Sequence, residues 1–200
     1  MNFLEELVAE WYEYLGYFVR RNIRVGALPN GGFEGELDVV AFDPAKSHLI
    51  HIETSTDSDA RATRQERLSR KFAVGRKYIP TLFTGFALPQ DIEQLALFVY
   101  GSPRQYAEIG GGRVISIKQF MISIRDDLEG KPVASKAVPE QYPLLRALQF
   151  AADFWPERPS PSKHGLKVDR AAPTTTTARS RMTGTIENTE MPSAGIRNDS

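Results

Sequence analysis

Two hundred residues with 41% hydrophobic content suit one domain with a real core, followed by a tail. The formal charge is +0, so no global field marks the chain for nucleic acid or membrane, and any basic surface must be local. The absence of cysteine excludes disulfides and thiolate metal sites, and His48, His51 and His164 lack the spacing of a zinc cluster.

At the amino end, Met-Asn-Phe-Leu-Glu-Glu places acids where a signal peptide needs basic residues, and no apolar run approaches membrane length. A cytoplasmic protein without membrane contact is expected. Residues 2–16 are predicted to form an amphipathic helix, with Asn2 as N-cap and Leu4, Leu7, Val8, Trp11 and Leu15 on one stripe, ending at Gly16. At about 100° per residue Glu6 lies opposite that stripe, while Glu5 falls on its border. Residues 17–25 read as a strand with Arg20, Arg21 and Arg24 among its apolar positions. Arginines so placed hold phosphates beside a cleft or line an exposed edge. Residues 26–35, with Pro29, Asn30, Gly31 and Gly32, are predicted as a flexible loop.

The stretch from Gly35 to Ser55 organises the rest. Glu-Leu-Asp-Val-Val-Ala-Phe-Asp, a polar turn, and His-Leu-Ile-His-Ile-Glu-Thr-Ser predict two adjacent strands, each with one acid among apolar residues, Asp38 and Glu53. An ionised acid buried without a partner is costly or titrates away, so two such acids at one end of paired strands suggest a place prepared for a cation. Period-two alternation puts Leu37, Val39 and Ala41 on one face and Glu36, Asp38 and Val40 on the other. In the second strand His51, Glu53 and Ser55 share a face, within reach of Asp38 across the pair. His51 is there as a packed or solvent-facing strand histidine, or as a proton carrier.

After a polar break at residues 56–59, residues 61–78 are predicted as a helix. Arg61, Arg64, Arg67 and Arg70 step by three along it, with Lys71, Arg76 and Lys77 behind, and Glu66 the one acid balancing the row. Such a row contacts a phosphate backbone or is a solvated charged face. Residues 80–88 fit a buried strand, 91–97 a short helix, 98–100 a short strand and 114–117 a strand, with Gly110-Gly111-Gly112 as a turn. Phe120, Ile124 and Leu128 mark a helix stopping at Gly130, and residues 142–154 a last helix. From residue 157 onward proline, threonine and polar residues leave too little apolar surface to offset ordering entropy, so 157–200 are expected to be disordered.

Two carboxylates with a neighbouring acid form a hard-oxygen site for Mg²⁺, which polarises a phosphodiester and lowers the pKa of a bound water. An ammonium nearby stabilises the developing charge. Helix, strand, Glu-Leu-Asp-Val-Val-Ala, turn and His-Ile-Glu-Thr-Ser, across roughly residues 2–85, resemble the core of the PD-(D/E)XK restriction-endonuclease-like superfamily, in its Holliday-junction-resolvase and restriction-enzyme branch. The resemblance implies an α/β domain over residues 1–156, with a mixed β-sheet flanked by helices. It implies a Mg²⁺-dependent, or Mn²⁺-dependent, endonuclease that hydrolyses phosphodiester bonds in nucleic acid, expected to be DNA. Many relatives act as homodimers. Asp38 takes the place of the first motif acid, Glu53 the second, and Glu5 the acid of the family's first helix, all three as metal ligands. The lysine expected two positions after Glu53 is Ser55. Members sometimes move that lysine to another element, and Lys71 or Arg67 is placed to replace it, with Arg61, Arg64, Arg67 and Arg70 left for nucleic acid. A nuclease-derived domain that binds nucleic acid or protein without cutting accounts for Ser55 more simply. A purely structural domain leaves both strand acids without a purpose.

Overall fold

A computed structural model describes residues 2–100 and 107–154. They fall within a compact unit, Met1–Glu157; the segment expected to be disordered lies outside the described residues.

Helix α1 (Phe3–Tyr14) starts at Asn2, whose Oδ1 accepts from Leu4 N at 2.9 Å and Glu5 N at 3.1 Å, while Glu5 returns the bond to Asn2 N. This capping box satisfies backbone donors that every helix start leaves over. The helix stops two residues short of the expected end, with Leu15 as C-cap.

Six strands follow: β1 (Phe18–Ala27), β2 (Phe33–Asp43), β3 (His48–Ser55), β4 (Glu93–Phe98), β5 (Glu108–Ile109) and β6 (Gly112–Ser116). They form one mixed sheet in the order β1-β2-β3-β4-β6-β5, with β3, β4 and β6 parallel and the other pairings antiparallel. Helix α2 (Arg61–Tyr78) connects parallel strands β3 and β4. Helices α1, α3 (Ile117–Leu128) and α4 (Pro143–Phe154) cover the face lined by Val39, Ala41, Ile50, Ile52, Leu95 and Leu97. Helix α2 covers the other face through Leu68, Phe72 and Val74. The protein is therefore mixed α/β, a sheet flanked by helices. Among the described residues no helix is long and apolar enough to cross a membrane.

The loop expected over residues 26–35 shrinks to residues 28–32 between β1 and β2, and two predicted elements change type. The strand expected over residues 80–88 is a 3₁₀ turn (Ile79–Thr81) followed by turns, with Gly85 at φ 91. Pro80 lacks the N–H that a ladder needs. The apolar residues of this stretch serve separately: Phe83 is buried against Phe42, whereas Phe86 is exposed. The short helix expected over 91–97 is strand β4, which also takes in Phe98. β4 lies between β3 and β6 and is buried from Gln94 to Phe98, so it shows a continuous apolar run instead of alternation.

The alternation assumed for β2 also breaks. Val39 and Ala41 face α1, but Leu37 packs with Val40, Phe42 and Val74 on the α2 side. Pairing with β3 ends at Val39↔Ile52, while β1 and β2 continue together to Ala27↔Phe33. Freed of β3, this hairpin arm bends onto α2: Gly35 approaches Val74 so closely that a Cβ would lie 2.9 Å from its Cγ1. Asp38 stands where β2 parts from β3.

Candidate active site

Asp38 and Glu53 come together through this break. Beyond Val39↔Ile52 the ladder no longer satisfies Thr54 N–H, and Asp38 Oδ2 accepts it at 2.8 Å, with Thr54 Oγ1 at 3.3 Å. The carboxylate thus replaces a missing strand neighbour and is fixed from behind. Glu53, fully buried on the face toward α2, is fixed in a different way: His51 Nε2 lies 2.8 Å from Glu53 Oε1.

The bonds behind His51 settle its tautomer. Arg76 only donates, so it fixes Gln94 Oε1 as the oxygen it meets. Gln94 Nε2 then donates to Phe72 O at 2.9 Å and faces His51 Nδ1 at 3.4 Å. Nδ1 is therefore the acceptor, and Nε2–H donates to Glu53. The chain Arg76–Gln94–His51–Glu53 runs from the surface of α2 to the buried acid.

Helix α2 supplies the positive charge. Lys71 Nζ donates to Asp38 Oδ1 at 2.7 Å and also to Glu53 Oε2. Every carboxylate oxygen of the pair thus has a named partner: Thr54 and Lys71 for Asp38, His51 and Lys71 for Glu53. The side chain of Lys71 is 28% exposed, against 10% for Asp38 and 0% for Glu53, so the ammonium sits on the solvent side. Burial and the neighbouring Glu53 charge push the Asp38 carboxyl above its ordinary value, against the pull of Lys71 and Thr54. Burial also pushes Glu53 upward, but His51 and Lys71 overcome it and hold that carboxyl below its usual range. Burial works against the Lys71 ammonium, and the two acids outweigh it, raising its pKa. Glu53 is the firmer anion and Asp38 the more readily protonated one.

The expected site residues separate into groups. Asp38, Glu53 and Lys71 meet. Glu5 accepts from Asn2 N and Nδ2 as the capping partner of α1, and among the described residues no three His, Cys, Asp or Glu side chains gather as a ready-made metal cage. Arg67, the other candidate for the missing lysine, turns to Asp57 and Asp59, with one guanidinium nitrogen 3.4 Å from Ser55 Oγ. The arginine row is not one face. Three residues turn a helix by 300°, so each step moves about 60° backward around it and four arginines span half the circumference. Arg61 and Arg70 are exposed, Arg67 is half-buried, and Arg64 is 4% exposed. Arg64 lies over the Phe98 ring at 4.7 Å, its Nε donating to Asp57 Oδ1 at 3.2 Å and its Nη2 to Asp57 O at 2.7 Å. Of the β1 arginines, Arg21 bonds to Glu6 and Glu13 of α1, Arg20 donates to Leu82 O at 2.8 Å, and Arg24 is exposed beside Glu36.

Sequence alone missed Asp57, Thr54 and Gln94. Burial pushes the Asp57 carboxyl up, but Ser55, Arg64 and Arg67 overcome it and hold it down at about 2. Asp57 thereby ties the end of β3 to the start of α2 and sets how that helix enters. The one hint in the sequence was an acid two residues beyond Ser55, ahead of a helix rich in arginine.

No family model matches the chain, and no curated protein matches it. Among solved structures, a crystal structure described as a protein of unknown function, AF1548, is similar to it with a TM-score of 0.41 and 14% sequence identity, over 75% of this chain and 95% of that one.

Proposed function

We propose that the chain is a Mg²⁺-dependent nuclease of the PD-(D/E)XK kind, hydrolysing phosphodiester bonds in DNA. The observation that carries this proposal is the convergence of Asp38 Oδ1 and Glu53 Oε2 on one positive charge, Lys71 Nζ, at the point where β2 parts from β3. Two carboxylate oxygens aimed at one cation are a donor set that fits Mg²⁺ or Mn²⁺, hard ions that leave other positions to water and phosphate oxygens. Asp38 and Glu53 would hold the ion, which supplies Lewis-acid polarisation of the phosphodiester and a bound water of lowered pKa. His51 and Thr54 hold the two acids in orientation. Lys71 brings a positive charge beside the scissile phosphate, where it stabilises the charge that develops during displacement. Exposed Arg61 and Arg70 on α2 provide backbone contacts that carry no sequence information.

Ser55 favours the alternative, a nuclease-like domain that binds without cutting. Lys71 weakens that case, because a cation reaches both acids from another element.

The test is cleavage of single-stranded, duplex and branched DNA, and of RNA, with Mg²⁺ or Mn²⁺. Asp38→Ala and Glu53→Ala should each lower cleavage by a factor of about 100 or more while the circular dichroism spectrum is kept. Cleavage persisting in both variants would remove the site from these strands. Binding to DNA with steep salt dependence and no nicking would establish the alternative.

A further inference from the structure

We infer that Lys71 occupies the place of the divalent cation, so that the ammonium and the metal compete for Asp38 Oδ1 and Glu53 Oε2. This rests on the reading of the two acids as metal ligands and adds how the site is controlled.

The other two oxygens are already committed. Asp38 Oδ2 takes Thr54 N–H and Glu53 Oε1 takes His51 Nε2–H, and neither donor is free to leave. Thr54 N belongs to the backbone of a central strand. His51 is fully buried, with the Phe72 ring edge-on at 5.5 Å and Gln94 behind it. What remains for a metal is the pair of oxygens that Lys71 Nζ now bridges. Two cations cannot share one pair of oxygens at contact distance, since their repulsion is strong where water is scarce. The acids are held from behind and cannot rearrange, so the lysine has to yield. It is the most exposed member of the cluster and hangs on a flexible four-carbon stem.

Without metal, the lysine offsets one of the pair's two negative charges, keeps the acids in place and lowers the apparent metal affinity. With metal, the displaced ammonium stays beside the site, which is where a cation for the phosphate is needed. A lysine built into a strand two residues after the acid would not have to move. Here, because Ser55 fills that position, cation delivery and metal entry are one event.

Two measurements on the full chain test this, neither of them an activity. In Lys71→Met the stem remains and the charge is gone. Calorimetric titration with Mn²⁺ should show affinity raised at least about tenfold over wild type, a coupling of ordinary size. In the wild-type protein, acetylation of Lys71 read by mass spectrometry should be accelerated by Mn²⁺, with exposed Lys118 as internal reference. This second measurement stands even if Lys71→Met does not fold. Wild type that binds Mn²⁺ as tightly as Lys71→Met, or Lys71 acetylation unchanged or slowed by Mn²⁺, would overturn the competition and leave the metal site standing. Absence of Mn²⁺ binding in both proteins would overturn the competition together with the metal site.

Discussion

Gly75→Ala separates two physical effects of opposite sign. On helix propensity alone, replacing a glycine inside an α-helix by alanine stabilises by about 1 kcal/mol. The packing of α2 against the sheet predicts the reverse. A Cβ at Gly75 would stand 2.4 Å from His51 Nδ1 and 2.5 Å from its Cε1. That is about 1 Å inside ordinary contact. The far end of a flexible side chain would swing away, but this ring is held by Glu53, Gln94 and Phe72 and has no solvent side. Either the helix lifts, drawing Lys71 one turn back from its acids, or the ring tilts and releases Glu53 Oε1. Overpacking of a tight core costs about 1–3 kcal/mol, and a buried carboxylate oxygen left without its donor adds about 1–3 more.

After the propensity gain, the variant should be less stable than wild type by about 1–5 kcal/mol. For a domain of this size that is a fall in melting temperature of roughly 2–20 °C. Differential scanning calorimetry or urea unfolding measures it, and Mn²⁺ titration tells the two routes apart: affinity falls where the ring tilts and Glu53 loses its orientation, and rises where the helix lifts and Lys71 withdraws from its acids. A melting temperature raised by several degrees would refute the close approach of α2 to His51.

Asp57→Asn should shed the charge that holds Arg64 and Arg67, lowering stability at neutral pH by about 1–3 kcal/mol in denaturant unfolding. Because the folded carboxyl lies at about 2, below its ordinary 3.8, the stability it adds is complete above about pH 4 and disappears as pH falls through 2. The gap between wild type and Asp57→Asn should therefore close over that window, and a gap independent of pH would count against this role. Arg61→Ala and Arg70→Ala should weaken DNA binding and each flatten the salt dependence by about one counterion, with little change in melting temperature. Arg64→Ala should do the opposite, losing about 1–3 kcal/mol of stability while leaving the salt slope alone. An Arg64 variant with normal stability and a shallower slope would place that guanidinium on the outside.

The same periodicity that located the helices misjudged what stands between and beneath them. Helix α2 was legible to the residue because a polar break precedes it and Pro80 follows soon after its end. The Asp38 and Glu53 strands were legible because acids among valines and isoleucines are conspicuous. Strand β4 was not, since a strand buried on both faces has no alternation to detect. Leu37 falls on the other face because parity counting assumes a flat strand, and β2 bends where its pairing with β3 ends. The arginine row looked uniform because spacing by three resembles a helical repeat, although its phase drifts until Arg64 points into the core. Lys71 could be named because the motif lacked a cation and the next helix was the nearest source. Thr54 and Gln94 could not, because their roles depend on backbone groups and on strands distant in sequence, whereas Asp57 passed for part of a polar break although its partners Ser55, Arg64 and Arg67 are near in sequence.

The energetics of the α2 face also bear on why these residues are present. Replacing a buried ion pair by well-packed apolar side chains is often neutral or stabilising. This fold does that on its other face, where Ile50, Ile52, Leu95 and Leu97 fill the same central strands without a polar atom. On the α2 face, Asp38, His51, Glu53 and Gln94 take buried places beside Leu37, Phe72 and Ala96. Stability alone would favour more leucine. The cluster is also asymmetric in a way a structural ion pair has no need to be. Its inner side is closed by donors that cannot move, Thr54 N and His51, backed by Gln94 and Arg76. Its outer side is closed by Lys71, a partner able to leave. Fixed acids behind a movable cation are what a site requires if its occupant must change during turnover, and this asymmetry supports the nuclease proposal independently of the sequence motif.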